Sequence, residues 1–493
     1  MKNIVFIEPR SPDDHIFSRY GLPRLGILIL GAILENAGYY VKAFVEDVGE
    51  IDLREVLKAD LVGISTITST APRAYEIAQL LKKRGLPVVM GGPHVTFMAD
   101  EALHYSDFVL RGEAEESILP FVQALESGQD IGQVPGLSFR IGDKFFHNPP
   151  AAACKDLDRL PFPDFSLLKG KLPNIRPVLT SRGCPFDCTF CSVTKIFGRG
   201  YRYRSKESVL RELRQVEEGE VVFFYDDNFT ANPARTKDLL RMMIEERITP
   251  RWTAQVRMDA AQDEELLELM RESNCHYVYI GVESINPDTL LEYNKKLTLA
   301  KIEEGIQKFH EYGIRVHGMF VLGSDHDDVE TIRNTAKFAK KNRIDTIQFM
   351  ILTPMPGTQQ YQDYKEQGRL LTTDWSLYDG HHVVHEPKLM TPFELQVETL
   401  RAMRAFYSYW EIVKVMFRFD FLAVVLKAYG HRLQVRWQKR NRSYFKLIRQ
   451  ATASAGLRLD LAARKTAEDL KERLRQITAK ESQESNSRRS KIP

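Results

Sequence analysis

The stretch Thr180-Ser181-Arg182-Gly183-Cys184-Pro185-Phe186-Asp187-Cys188-Thr189-Phe190-Cys191 decides how the rest of the chain is read. Three cysteines fall within eight residues, spaced CxxxCxxC, directly behind an apolar run at 177–182 that reads as a strand. Three thiolates on one loop can hold three irons of a cubane iron–sulfur cluster, which usually takes four cysteine ligands. The missing fourth ligand leaves one iron open to a substrate or cofactor. A structural zinc wants four closed ligands, commonly in CxxC pairs. The remaining cysteines, Cys154 and Cys275, are isolated, and no histidine lies in the loop. Cys184, Cys188 and Cys191 are therefore the candidate metal ligands and the candidate catalytic centre.

Downstream of this loop, strands are expected at 177–182, 220–226, 251–257, 276–282, 314–322 and 345–353. Helices are expected between them, at about 205–218, 233–247, 261–273, 299–312 and 327–342. Six successive βα repeats are too many for a small nucleotide-binding fold and too few for a complete eight-fold barrel. The expectation is a partial (β/α)6 TIM barrel over 177–391, with its site at the C-terminal ends of the strands. Upstream, residues 1–130 also alternate. Strands are expected at Ile4–Glu8, Val41–Val45, Leu61–Ser65, Pro87–Gly91 and Phe108–Leu110, and helices at about 25–37, 72–84 and 114–127. That pattern predicts an α/β, doubly wound parallel sheet, Rossmann-like, binding a ligand in the crevice beyond its strand ends. Those ends carry Ser65 and Thr66, Gly91-Gly92-Pro93-His94, and Arg111-Gly112-Glu113. Small residues and hydroxyls there admit a large ligand, although ordinary βα turns with helix caps would read the same way. No GxGxxG follows the first strand, which argues against a nicotinamide dinucleotide. Residues 131–176, rich in Pro and Gly, read as a connector with a small hairpin around Leu137–Phe146.

The cysteine spacing, with aromatic Phe190 directly before the last cysteine and a six-strand βα repeat behind it, resembles the radical S-adenosylmethionine (radical SAM) superfamily. In that family the open iron chelates the amino and carboxylate groups of S-adenosylmethionine, and an electron from a [4Fe-4S] cluster cleaves the sulfonium to a 5′-deoxyadenosyl radical. The resemblance extends to the strand ends. Asp226, Asp227 and Asn228 fall where the family accepts the methionine amino group. Arg257 falls where a guanidinium would pair with the methionine carboxylate. Glu283 and Ser284 match a signature that reaches the ribose, Gly323 lies on the adenine side, and Thr353-Pro354-Met355-Pro356-Gly357-Thr358 is a recurrent turn. Taken singly, each also reads as a helix cap or a barrel turn. Gly91-Gly92-Pro93-His94 and Asp107-Phe108-Val109-Leu110-Arg111-Gly112-Glu113 resemble the cobalamin-binding domain fused to many radical SAM enzymes. No DxHxxG motif is present, Asp14-His15 reads as loop, and His94 reads as a supporting residue rather than a cobalt ligand. The resemblance covers about residues 1–390.

It implies a cobalamin-dependent radical SAM enzyme, with [4Fe-4S], S-adenosylmethionine and cobalamin as cofactors. Such an enzyme would methylate an unactivated carbon of a small molecule or lipid, drawing electrons from a reductase, flavodoxin or ferredoxin. The alternative is a non-methylating oxidoreductase resembling the oxidative cyclase that closes the fifth ring of chlorophyll precursors. A methylthiotransferase would need three further cysteines ahead of the barrel, and none precedes Cys154. A non-enzymatic cobalamin sensor would not need the cysteine triplet.

The chain has 493 residues, more than one core is expected to serve. Its net charge of +3 hides a split, −11 over 1–400 and +14 over 401–493. The hydrophobic fraction of 43% and charged fraction of 27% exclude a disordered or collagen-like chain. No run of about 18 uncharged apolar residues predicts a membrane span, and a carboxylate at Glu8 comes too early for a signal peptide. A cytoplasmic location, with membrane association as an option, is expected. Residues 392–480 read as helical and 481–493 as a disordered tail. Over 401–450, twelve Lys and Arg face Glu411 and Asp420 and mix with aromatics. Three readings compete there: helices packed on the barrel, peripheral contact with an anionic membrane, and nucleic-acid contact, which ranks last because no recognised module accompanies it. His381 and His382, in a segment that covers the barrel mouth, cannot both face inward if extended and read as loop histidines.

Overall fold

The computed structural model describes residues 1–11, 22–170, 172, 174–295 and 297–453. The expected tail at 481–493 and the Asp14-His15 pair lie outside the described residues. Two sheets dominate. The first contains β1 (Asn3–Glu8), β2 (Tyr40–Val45), β3 (Leu61–Ser65), β4 (Val88–Gly91), β5 (Phe108–Leu110), β6 (Leu137–Ile141) and β7 (Lys144–His147), in the order β2-β1-β3-β4-β5-β6-β7. Strands β1 to β5 are parallel. They are short apolar runs because helices cover both faces, so neither face can be polar. The order reverses at β1, between β2 and β3, and this switch point opens the crevice at the strand ends. The hairpin expected around Leu137–Phe146 is β6 and β7. It pairs antiparallel with β5 and so extends the first sheet.

The second sheet is six-stranded and wholly parallel: β8 (Ile175–Val178), β11 (Val221–Phe224), β12 (Trp252–Val256), β13 (Cys275–Glu283), β14 (Arg315–Leu322) and β15 (Thr346–Ile351), paired in chain order. Helices Lys206–Leu213, Pro233–Glu245, Glu264–Glu272, Leu299–Glu311 and Val329–Lys341 return the chain between strands. This is the partial barrel. One expected strand splits: the run at 177–182 leaves the sheet after Val178, and β9 (Ser181–Arg182) pairs antiparallel with β10 (Arg202–Tyr203).

The barrel is closed at its last edge by the C-terminal helices. Helix Pro392–Phe406 begins with a capping box in which Thr391 and Glu394 serve each other's backbone N–H. At its end, the buried Tyr407 hydroxyl both accepts from Ile347 N (2.9 Å) and donates to Ile347 O (2.8 Å), satisfying the open side of β15. Helix Phe421–Arg440 crosses Tyr407 closely enough that a Cβ at Gly430 would meet the ring at 2.7 Å. Helix Arg442–Ala453 then returns, with the Tyr444 hydroxyl bonded to both backbone groups of Val383. The packed-helix reading therefore holds for Phe406, Tyr407, Trp437 and Tyr444, which are all buried.

Candidate active site between the two sheets

The cysteine loop springs from a narrow neck. Gly183, at φ +86°, sits where a Cβ would meet Gly200 O at 2.5 Å, so only glycine lets the two ends of the loop approach. β9 and β10 close the neck. Within the loop a turn (Cys191 N to Cys188 O, 3.1 Å) brings the later cysteines together, and the loop is docked by Asn294 Nδ2 on Asp187 O (3.1 Å) and Thr189 Oγ1 on Glu292 O (3.2 Å). Phe190 meets the buried ring of Tyr293 edge-on at 4.9 Å. All three thiols are free and partly buried. Burial raises Cys184 and Cys188 and pushes Cys191 up to about 12. A metal bound by these thiols would displace their protons. Among the described residues, no three His, Cys, Asp or Glu side chains converge on a single ion site.

The strand-end residues divide into free and occupied groups. Asp226 is fully buried and its carboxylate already accepts from Thr180 N (3.2 Å), Thr180 Oγ1 (2.9 Å) and Ser181 Oγ. Those bonds brace the neck of the loop and occupy the Asp226 carboxylate. Asp227 differs. Burial, then the neighbouring Asp226 charge, pushes it up to about 7, and it interacts electrostatically with both Cys184 and Cys191. Asn228 is buried, accepting from Thr230 Oγ1 at 3.3 Å through its side chain and from Tyr201 Oη through its carbonyl. The Arg257 guanidinium stacks on Phe186 at 3.7 Å, beside the cysteines. Its Nε is buried with no hydrogen bond, 3.5 Å from Asp259. Glu283 stands at φ +67° on a bulge in β13, and its carboxylate is held by Lys295 Nζ at 2.9 Å. Lys295 was not legible as a site residue, yet this buried pair faces Cys188. Ser284 is buried and its hydroxyl accepts from Asn286 N at 3.0 Å, a turn-forming role. Gly323 is packed under helix Pro392–Phe406, and its carbonyl accepts from His385.

A cavity lies between the switch point of the first sheet and the cysteine loop. From the first sheet it is lined by Gly63, Ser65, Gly91, Gly92, Gly112 and Glu113, and from the barrel by Ser181, Arg182, Tyr225 and Asp227. Gly92, at φ +100°, would drive a Cβ into Thr66 O at 2.4 Å, whereas Cβ atoms at Gly26 and Gly112 would meet nothing and stand in the open space. Thr66 is buried behind the wall, bonded to Gly91 O. His94 is not brought to the cavity. Its Nε2 lies 3.1 Å from Tyr75 Oη and 3.7 Å from Glu101, and its ring abuts Trp375, so it joins the first sheet to the segment after the barrel. His382 is a similar strut, bonded to Asp379 and Asn441.

Glu113, expected to touch a corrin, has a further role. It accepts from Arg182 Nη1 (3.0 Å) and Arg202 Nη1 (2.9 Å), while Arg182 Nη2 reaches Glu115 at 2.6 Å. Burial alone would raise the Glu113 carboxyl, but the Arg202 and Arg182 guanidiniums outweigh it and hold the group below its ordinary value. This buried network ties the first sheet to the neck of the cysteine loop.

The residues suit the groups that the motifs imply. Three free thiols beside an underused guanidinium suit a cluster with a carboxylate-bearing ligand. A glycine-walled cavity suits a flat ring, and Arg24 Nη1, on the cavity wall, is buried with no hydrogen bond. Two family models match in order, a B12 binding domain at residues 18–120 and the radical SAM superfamily at 178–366. These domains take cobalamin, and a [4Fe-4S] cluster with S-adenosylmethionine, respectively. An uncharacterised methyltransferase of Pyrococcus horikoshii is 33% identical over 78% of this chain and 88% of its own. The anaerobic magnesium-protoporphyrin IX monomethyl ester cyclase of Cereibacter sphaeroides is 29% identical over 82% of this chain and 70% of its own. The radical S-adenosylmethionine methyltransferase TsrM from Kitasatospora setae, solved with cobalamin and [4Fe-4S] cluster bound, shares the fold at a TM-score of 0.63 and 20% identity, covering 74% of this chain and 78% of that one. The chain belongs to the radical SAM superfamily, among the members that carry a B12-binding domain ahead of the barrel.

Proposed function

We propose that this enzyme is a cobalamin-dependent radical SAM C-methyltransferase acting on an unactivated carbon of an apolar small molecule or lipid. One observation carries the reading: the cavity between the sheets is a single chamber, walled by the B12-binding strand ends on one side and by Ser181, Arg182, Tyr225 and Asp227 on the other. Cys184, Cys188 and Cys191 would hold the cluster, Arg257 the methionine carboxylate, and Gly63, Ser65, Gly91, Gly92 and Gly112 the corrin face. Electron delivery to S-adenosylmethionine is the chemistry that a cluster on these thiolates supplies, and methyl delivery the chemistry that a corrin in this cavity supplies.

The chain's own part is binding and exclusion. Gly183 and the Asp226 bonds fix the loop neck, Arg257 offers an unsatisfied donor beside the loop, and the Glu283–Lys295 pair keeps a charged, dry wall next to Cys188. Phe6, Leu25 and Ile27 line the far side of the cavity, an apolar surface that keeps water from a radical. Flavodoxin or ferredoxin would be the reductant. A substrate that partitions into lipid would suit the apolar lining.

The test is product stoichiometry under anaerobic turnover with methyl-deuterated S-adenosylmethionine. Methyl transfer yields S-adenosylhomocysteine and 5′-deoxyadenosine in equal amounts, with label in the product. Deoxyadenosine without S-adenosylhomocysteine would refute it and favour the cyclase reading, which the 82% coverage in the cyclase comparison keeps in play.

A further inference from the structure

The aromatics of the C-terminal region fall into two sets. Phe406, Tyr407, Trp437 and Tyr444 are buried against the barrel. Phe417, Phe419 and Phe421 are 77%, 81% and 73% exposed, and Trp410, Met416, Leu422 and Val425 are exposed beside them. The second set is concentrated where helix Tyr409–Met416 turns into helix Phe421–Arg440. Trp410, Lys414 and Phe417 recur at the i, i+4, i+7 spacing of one helix face. Single exposed apolar side chains are unremarkable, but a contiguous patch marks a contact. Among the described residues nothing covers this one.

The turn is held to the body while its rings face outward. Asp420 caps the second helix, accepting from Ala423 N at 3.1 Å, and Arg315 grips both of its oxygens at 2.8 and 3.0 Å. Phe419 consequently sits at φ +57°, a conformation a bulky residue avoids unless its neighbours impose it. The same bonds remove the negative charge. Asp420 is paired with Arg315 and Glu411 with Lys414 at 2.9 Å, which leaves Arg418 exposed at the tip. A tip of aromatic rings beside the exposed Arg418 guanidinium matches the chemistry of an anionic lipid surface: rings enter the interfacial layer and the cation meets the headgroups.

We infer that the turn between helices Tyr409–Met416 and Phe421–Arg440 is a membrane-docking face that inserts Phe417, Phe419 and Phe421 into an anionic lipid surface. Its purpose rests on the proposed reading of a lipid-partitioning substrate, but its test does not require turnover. The full chain with reconstituted cluster is sedimented with vesicles of mixed phosphatidylcholine and phosphatidylglycerol, and with vesicles of phosphatidylcholine alone. The expected result is binding to the anionic vesicles and several-fold weaker binding to the neutral ones. The triple variant F417S/F419S/F421S, which alters only exposed side chains, should lose about tenfold or more in partitioning with cluster absorbance and deoxyadenosine formation unchanged. R418Q should narrow the difference between the two vesicle types. Wild-type protein that stays in solution, or a triple variant that binds as well as wild type, would overturn the assignment. So would a wild type that ignores vesicles but forms dimers that the triple variant cannot, because the face would then meet a second copy. Intact vesicle binding without methyl transfer would count against the proposed function and leave this face standing.

Discussion

Replacing Arg182 with methionine should loosen the joint between the two sheets. The side chains of Arg182, Glu113 and Glu115 are only 7%, 6% and 6% exposed, so screening by water is slight. Methionine keeps most of the volume and removes the charge. Glu113 retains Arg202, but Glu115 loses the guanidinium, and its second oxygen already lacks a partner. Removing one member of a buried pair costs about 3–5 kcal/mol, because the other charge is stranded. With Glu113 still paired, the lower end, about 3 kcal/mol, is expected. For a cooperative unit of roughly 150–250 residues that lowers the unfolding midpoint by about 6–12 °C. Circular dichroism melts of the full chain at neutral pH would measure it, with R182M/E115Q alongside. The double variant carries no stranded carboxylate and should recover most of the loss. The pH dependence has a defined sign. Glu113 is held below its ordinary value, so its pairing stabilises the fold above about pH 4.3 and is lost on acidification. Arg182 supplies part of that lowering, so this part of the R182M deficit should shrink as pH falls below about 4.3. A single variant within about 1 kcal/mol of wild type, the range of exposed pairs, would refute the reasoning, as would a double variant no more stable than the single one.

Cys188→Ala should abolish the visible absorbance of the reconstituted cluster and deoxyadenosine formation, while corrin retained after gel filtration stays near wild type. Gly92→Ala should do the reverse, because its new methyl meets the backbone of Thr66 at 2.4 Å: corrin is lost and cluster absorbance kept. Lys427 is buried against Phe406 and Tyr407, and burial lowers it to about 8. The unfolded chain then holds a proton that the native chain lacks between about pH 8 and 10.4, so stability rises with pH across that window. K427M should flatten that slope and raise the unfolding free energy at pH 7, read from urea denaturation, by up to about 3 kcal/mol less whatever the aromatic faces return to the ammonium; a midpoint that falls would contradict it.

The periodic parts of the fold were legible because local signals set them. After the first, which leaves the sheet at Val178, each barrel strand falls within two residues of its expected place, and the B12-binding sheet follows from buried apolar runs between helices. The cysteine triplet was equally plain, being a motif within eight residues. What could not be read were pairings between distant residues. Nothing in Asp226-Asp227-Asn228 says which carboxylate turns inward to Thr180 and which stays beside the cysteines. Glu113 reads as a crevice residue until Arg182 and Arg202, 69 and 89 positions later, arrive beside it. His94 follows two small residues at a strand end, as a ligand-contacting residue would, but Tyr75 and Trp375 claim it. The hairpin at β6 and β7 reads as a connector because two short strands carry no mark of the sheet they join. In the C-terminal helices, composition alone could not separate rings that pack from rings that face out; Tyr407 and Phe417 differ only in what lies opposite.

Trp375 donates to Glu101 Oε1 at 2.8 Å and packs on His94, a contact across 274 residues. Synthesis reaches Trp375 only after the whole barrel has been made. A nascent chain that has released only its first sheet therefore presents the Tyr75–His94–Glu101 face without the segment that seals it, and must wait through six further strands for that cover. The two halves are thus fastened twice, by salt bridges at the cysteine neck and by an indole on the opposite flank. The second fastening comes last in time. The first sheet, although first made, keeps that face uncovered until the segment after the barrel has been synthesised.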